Sequence, residues 1–135
     1  MAFTGCLRIN QAMNKKTMKY SSKLFMKGSE QERVDVGEGI VRQNLGFDDS
    51  LLLARVSFEN GSIGYTHAHP HSQVAYVESG VFDFSIGSET RRMEAGDCVY
   101  IPPNAQHGAV CIEAGVLLDI FSPCREDLLP ENIKE

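Results

Sequence analysis

All four histidines of this chain lie between positions 67 and 107, and three of them fall within His67-Ala68-His69-Pro70-His71. Neutral imidazole is a common ligand of transition metals. His67 and His69 are two residues apart, so on a strand both rings project from one face. Gln73 shares their parity if the chain stays extended or closes a tight turn through Pro70. His107 opens a later apolar run and can approach from a neighbouring antiparallel strand. Such donors surround a cation from one hemisphere and leave positions open for water or substrate, as a catalytic ion requires. A lone histidine is ordinarily a satisfied surface or core residue. Two on one face with a third downstream point instead to one divalent transition metal: nickel, zinc, manganese or iron. His71, beside Pro70, is expected to be a turn residue bonded to nearby backbone.

The segments that must position these groups read as strands. Ile40–Gln43, Leu51–Phe58, Gln73–Glu78, Val81–Ile86, Asp97–Ile101, His107–Ile112 and Val116–Phe121 are β-branched or aromatic runs. Turn signals separate them, among them Glu59-Asn60-Gly61, Ser79-Gly80, Gly87-Ser88, Pro102-Pro103-Asn104 and Glu113-Ala114-Gly115. Short strands at this spacing predict an all-β double-sheet barrel, with helix only as a fragment around Glu126–Leu129. With 135 residues the chain fits one domain, taken as residues 18–135. Residues 1–17 read as a polar N-terminal extension, and Met18 is a plausible alternative start.

Alternation assigns faces. In Val116–Phe121, Val116, Leu118 and Ile120 share a wholly apolar face, while Leu117, Asp119 and Phe121 share a mixed one. The apolar face needs a cover, and a homodimer is expected. An ionised Asp119 on so apolar a strand is costly unless it is paired or functional. Arg125 follows shortly after, and its alternative reading is a plain ion pair with Asp119. Arg55 and the pair Arg91-Arg92 read as solvated positions. Tyr76 and Tyr100 read as core aromatics, and Cys98 and Cys111 as small buried residues.

Net charge is −5, which argues against a phosphate-binding nucleic-acid partner. No stretch approaches the ~20 apolar residues of a membrane span. The beginning of the chain has no apolar secretory segment, so a cytoplasmic protein is expected. Cys6, Cys98, Cys111 and Cys124 form no C-x-x-C pair and are expected to be reduced thiols.

Gly61-(5)-His67-Ala68-His69-(3)-Gln73-(6)-Gly80 resembles the first cupin motif, with Gln73 where most cupins carry glutamate. Gly96-(5)-Pro102-Pro103-Asn104-(2)-His107-(3)-Cys111 resembles the second, with Asn104 replacing the usual glycine and Cys111 the usual asparagine. Asparagine tolerates the positive φ that glycine would supply. The resemblance implies a double-stranded β-helix, or jelly-roll, barrel with His67, His69, Gln73 and His107 as metal ligands. Four neutral donors would leave the ion's charge uncompensated, favouring anionic oxygens and Lewis-acid chemistry.

Together with Leu117–Leu129, these motifs resemble the pectin-degradation cupins called KdgF. That resemblance implies conversion of 4,5-unsaturated uronates from pectin or alginate into linear 4-deoxy-5-keto uronates. Its pocket residues map onto Asp119, Phe121 and Arg125, which keep the D-x-F-x-x-x-R spacing. Asp119 would serve as acid/base, Arg125 would capture the uronate carboxylate, and Phe121 would wall the ring from water. The alternatives are an iron-dependent cupin dioxygenase and a non-enzymatic sugar-binding cupin.

Overall fold

A computed structural model describes residues 18–134. The expectations for residues 1–17, including Cys6, lie outside them. The strands are β1 (Val34–Gly37), β2 (Ile40–Asp48), β3 (Leu51–Phe58), β4 (Ile63–His67), β5 (Ser72–Ile86), β6 (Glu89–Glu94), β7 (Cys98–Ile101) and β8 (His107–Ser122). All pairings are antiparallel, in the order β1-β2-β3-β8-β5-β6, with β4 on β8 and β7 on β5. Among the described residues helix is confined to single turns at Gly28–Glu30, Glu126–Leu128 and Glu131–Lys134. The fold is the expected all-β jelly roll. Among the described residues no helix is long and apolar enough to cross a membrane.

Two long strands frame the barrel. The first half of β5 pairs with β7 and its second half with β6, while β8 pairs first with β4 and then with β3. Each therefore passes from one layer to the other through a bend, marked by register shifts between Val77 and Phe82. Gly80, with φ 83°, and Gly115 meet at that bend. A Cβ on Gly115 would lie 2.0 Å from the Ser79 carbonyl oxygen, so the backbones touch where side chains would hold them apart. Ser79-Gly80 and Ala114-Gly115 resemble turns, so the sequence predicts a break where each strand in fact continues. β1, β4 and β6 lie outside the predicted strands, because apolar alternation there is short or absent.

The interior holds a cluster around Phe58, Val77, Phe82 and Ile101, with the Phe58 and Phe82 rings edge-to-face at 5.1 Å. A second cluster, Leu52, Ala54, Phe121, Cys124 and Leu129, lies where the C-terminal segment closes the barrel. Leu117 and Phe121 face inward, whereas Ile120 is 43% exposed. Tyr76 and Tyr100, read from sequence as core, are 39% and 59% exposed, and Cys98 is exposed. The reason is parity: Gln73, Ala75 and Val77 point into the barrel, so Val74 and Tyr76 point out of it. Leu53, Ile120, Val74 and Tyr100 form one outward row across four strands.

Candidate metal centre

His67 is the last residue of β4 and the cross-strand partner of His107, the first residue of β8. His69 lies beyond the strand, in the turn that leads through Pro70 to β5, so one strand does not carry both histidines as simple alternation implied. The turn is pinned from outside, where the Asn104 amide donates to the His69 carbonyl at 2.8 Å. Asn104 has φ 66°, the left-handed conformation expected of the residue standing in for glycine.

One ring nitrogen from each of His67, His69 and His107 lies within 4.8 Å of the others. Nδ1 of His67 donates to the Tyr65 carbonyl at 2.9 Å, and Nδ1 of His107 donates to that of Ala105 at 2.8 Å. A carbonyl only accepts, so Nδ1 carries a proton in both rings, and the tautomer this selects has its lone pair on Nε2. His107 Nε2 is buried and lacks a partner among the described residues, as does Nδ1 of His69. Burial is the main cause that holds the pKa values of His69 and His107 below the usual imidazole range, which keeps the rings neutral and able to ligate.

The Gln73 carbonyl oxygen lies 2.9 Å from His69 Nε2. Two donors bound at right angles to one cation, each at about 2.1 Å, stand about 3 Å apart. The contact is a hydrogen bond when His69 carries its proton on Nε2, and its length equals the spacing of two neighbouring ligands of one cation; three imidazoles with one amide oxygen suit a divalent transition metal. His71 stays outside this group; its ring stacks edge-on to His69 at 5.4 Å, and its Nδ1 is buried without a partner among the described residues.

The amide nitrogen of Gln73 donates to Asp119 Oδ1 at 3.0 Å. Asp119 faces inward between Ala54 and Ala75, both fully buried, whose small side chains leave room around the carboxyl. Burial pushes the pKa of Asp119 up to about 6, against the opposing pull of the Gln73 hydrogen bond and the Arg125 charge. Phe121 packs edge-on against His69, ring centroids 5.6 Å apart, and the Arg125 guanidinium lies over the same Phe121 ring, 5.2 Å from its centroid. Arg125 does not pair with Asp119 as the simplest sequence alternative had it. It grips Asp127, with nitrogen to oxygen distances of 2.6 and 3.3 Å.

These groups open on a cavity of about 380 Å³, lined by His67, Gln73, His107, Asp119, Phe121 and Arg125 together with apolar side chains such as Ile40, Val56 and Phe84. Two polar residues of the lining, Arg42 and Tyr65, are not among the site residues expected from the sequence. The signal was parity: Arg42 lies two residues from the buried Ile40, and Tyr65 two residues from His67. Arg55, by contrast, is partly exposed and pairs with Glu78, and Arg91 and Arg92 pair with Glu89 and Asp83 at the surface.

A family model described as a cupin domain matches residues 54–121. The pectin degradation protein KdgF of Dickeya dadantii (strain 3937) is 41% identical over 97 residues, 70% of this chain and 88% of that protein. The structure of an RmlC-like cupin from Shewanella frigidimarina NCIMB 400 superposes with a TM-score of 0.79 at 43% identity, covering 82% of this chain and 99% of that one. The structure of KdgF from Halomonas sp. superposes with a TM-score of 0.76 at 34% identity, covering 80% and 100%.

Proposed function

The chain belongs to the cupin family, within the group of the pectin degradation protein KdgF, and on that premise we propose that it linearises 4,5-unsaturated uronates with the help of a divalent metal ion. The observation that carries this reading is the chain of contacts from His69 through Gln73 to Asp119, which joins the imidazole cluster to an ionisable carboxyl beside one cavity. His67, His69, Gln73 and His107 would hold the ion. When bound it supplies Lewis acidity toward the anionic oxygens of a sugar acid.

The reaction is an isomerisation with no net redox change. The bond between C1 and the ring oxygen breaks, the C1 hydroxyl gives up its proton as the aldehyde forms, and the C5 enol becomes a ketone as C4 gains a proton. One proton leaves and one arrives, so a single carrier can serve both steps. Asp119 is that carrier: it is the carboxyl that faces the cavity beside Gln73. Gln73 fixes its orientation, because the amide nitrogen can only donate. Phe121 offers an apolar wall to the sugar ring, and Arg125, laid over it, adds positive charge to the wall. The outward row around Ile120 and Tyr100 is where a second copy would dock, completing a homodimer.

The test is to run the conversion in deuterated water and read the product by nuclear magnetic resonance. A C5 ketone with deuterium at C4, formed faster than without protein, is the expected result; an unchanged spontaneous rate would refute the proposal. Turnover without oxygen would exclude the dioxygenase alternative, and binding without turnover would favour the sugar-binding one.

A further inference from the structure

β2 turns Ile40 and Arg42 toward the barrel interior, and both line the cavity. Across the sheet Arg42 pairs with Val56, and Val56 with Leu117, one inward position along β8 from Asp119. The guanidinium is half-buried, yet its bonds go to neutral oxygens. Nε donates to Asn44 Oδ1 at 3.2 Å, and a terminal nitrogen donates to the Leu128 carbonyl at 3.3 Å. Among the described residues, no carboxylate forms an ion pair with it.

Its cationic neighbour in the cavity is Arg125, already engaged on two nitrogens by Asp127. Two guanidiniums thus face one cavity, and one of them has a carboxylate. Burial and the nearby Arg125 both disfavour the charge on Arg42, with Asp127 offsetting part of that cost from a distance. A cation withdrawn from water without a counter-ion is unfavourable until an anion reaches it.

We infer that Arg42 is a specificity-determining residue that receives the substrate's carboxylate, while Arg125, held by Asp127 and stacked on Phe121, shapes the wall of the cavity. This revises the role the D-x-F-x-x-x-R spacing implied for Arg125, and it rests on reading the substrate as a sugar acid. Asn44 and Leu128 occupy Nε and one terminal nitrogen of Arg42, which leaves its second terminal nitrogen to meet the ligand. Asn44 in turn donates to the same Leu128 carbonyl at 2.9 Å, so the guanidinium is held in place before the anion arrives.

The experiment is a calorimetric titration of the full-length, metal-loaded protein with galacturonate, its methyl ester and galactose. The ester and the neutral sugar have the same ring without the negative charge. Unmodified protein should bind galacturonate roughly tenfold or more tightly than the ester. Arg42→Gln should cut that preference several-fold and leave ester affinity and metal content unchanged. Arg42→Lys should keep the preference at several-fold lower affinity, since the charge survives but the planar donor set does not. Acid and ester bound equally by unmodified protein would overturn the inference, as would an Arg42→Gln protein that prefers the acid by an undiminished margin. Should Arg42→Gln fail to fold, an Arg42→Lys protein with undiminished galacturonate affinity would overturn it. Turnover of unsaturated galacturonate is scored separately. Acid preference dependent on Arg42 but without turnover would sink the enzymatic reading alone; turnover with no effect of Arg42 would sink this inference alone.

Discussion

Gln73 donates to Asp119 Oδ1 at 3.0 Å while its own carbonyl oxygen lies 2.9 Å from Nε2 of His69. One neutral side chain therefore serves the donor cluster with its oxygen and the carboxyl with its nitrogen. Glutamate could supply the oxygen but not the donor, and it would set a second carboxylate against Asp119. Gln73→Glu is expected to retain metal, measured by elemental analysis, and to lose turnover by about 10- to 100-fold. Asp119→Asn, which removes the proton carrier at nearly constant shape, should lose at least as much. A Gln73→Glu protein with unchanged turnover would separate Asp119 from the reaction.

If the imidazole cluster binds a metal only in the folded state, metal must stabilise the fold. At a free metal concentration one hundredfold above Kd, the gain is about 2.7 kcal/mol. Chelation of the loaded protein should lower Tm, re-addition should restore it, and His107→Ala should melt at one temperature with or without metal. An identical response in His107→Ala would place the binding elsewhere.

The bend shared by β5 and β8 makes a prediction about stability alone. Gly115→Ala places a methyl group 2.0 Å from the Ser79 carbonyl oxygen, where both contacting partners are backbone. Relief requires the strands to separate, at a cost of about 3 kcal/mol or more. Urea unfolding should show the loss. Gly46→Ala, where a Cβ meets nothing within 4 Å, is the control and should change stability little.

Cys124 is buried, and burial, reinforced by Glu126, Asp48, Asp49 and Asp127, pushes its thiol up to about 11. The folded protein keeps a proton that the unfolded chain releases from about pH 9. The associated stability is complete below pH 9 and is lost as pH rises toward 11, amounting to about 2 kcal/mol over the window. Cys124→Ala should flatten the fall of urea stability with alkaline pH. A residual slope is expected, because burial shifts Cys111 in the same direction. Equal slopes in both proteins would contradict the assignment.

How far the sequence could be read depended on what each position shows locally. The histidine group was legible because polar donors in an apolar β context are conspicuous, and Asp119 because alternation put it on the face of Leu117 and Phe121. The turn at Pro70 hid how His69 reaches the cluster, since strand parity says nothing about a residue beyond the strand's end. Gly80 and Gly115 imitate turns in one dimension; only the layered packing shows that the strands run through them. Arg42 and Arg55 look alike in sequence, each a cation within a short strand-forming run. One shares parity with the buried Ile40 and enters the cavity, while the other alternates with buried Ala54 and Val56 and pairs outside with Glu78. Tyr76, Tyr100 and Cys98 have residue types common in cores, but their parity on β5 and β7 turns them outward. The Arg125 partner, Asp127, lies in a short C-terminal turn that no periodic pattern reveals.

The most direct test follows the ultraviolet absorbance of the C4=C5 bond of unsaturated galacturonate with metal-loaded protein, with chelated protein and without protein. The account predicts rapid loss of absorbance with the loaded protein, a rate close to the spontaneous one after chelation, and recovery when a divalent metal is returned. Loss of absorbance in the loaded sample no faster than in buffer would contradict it.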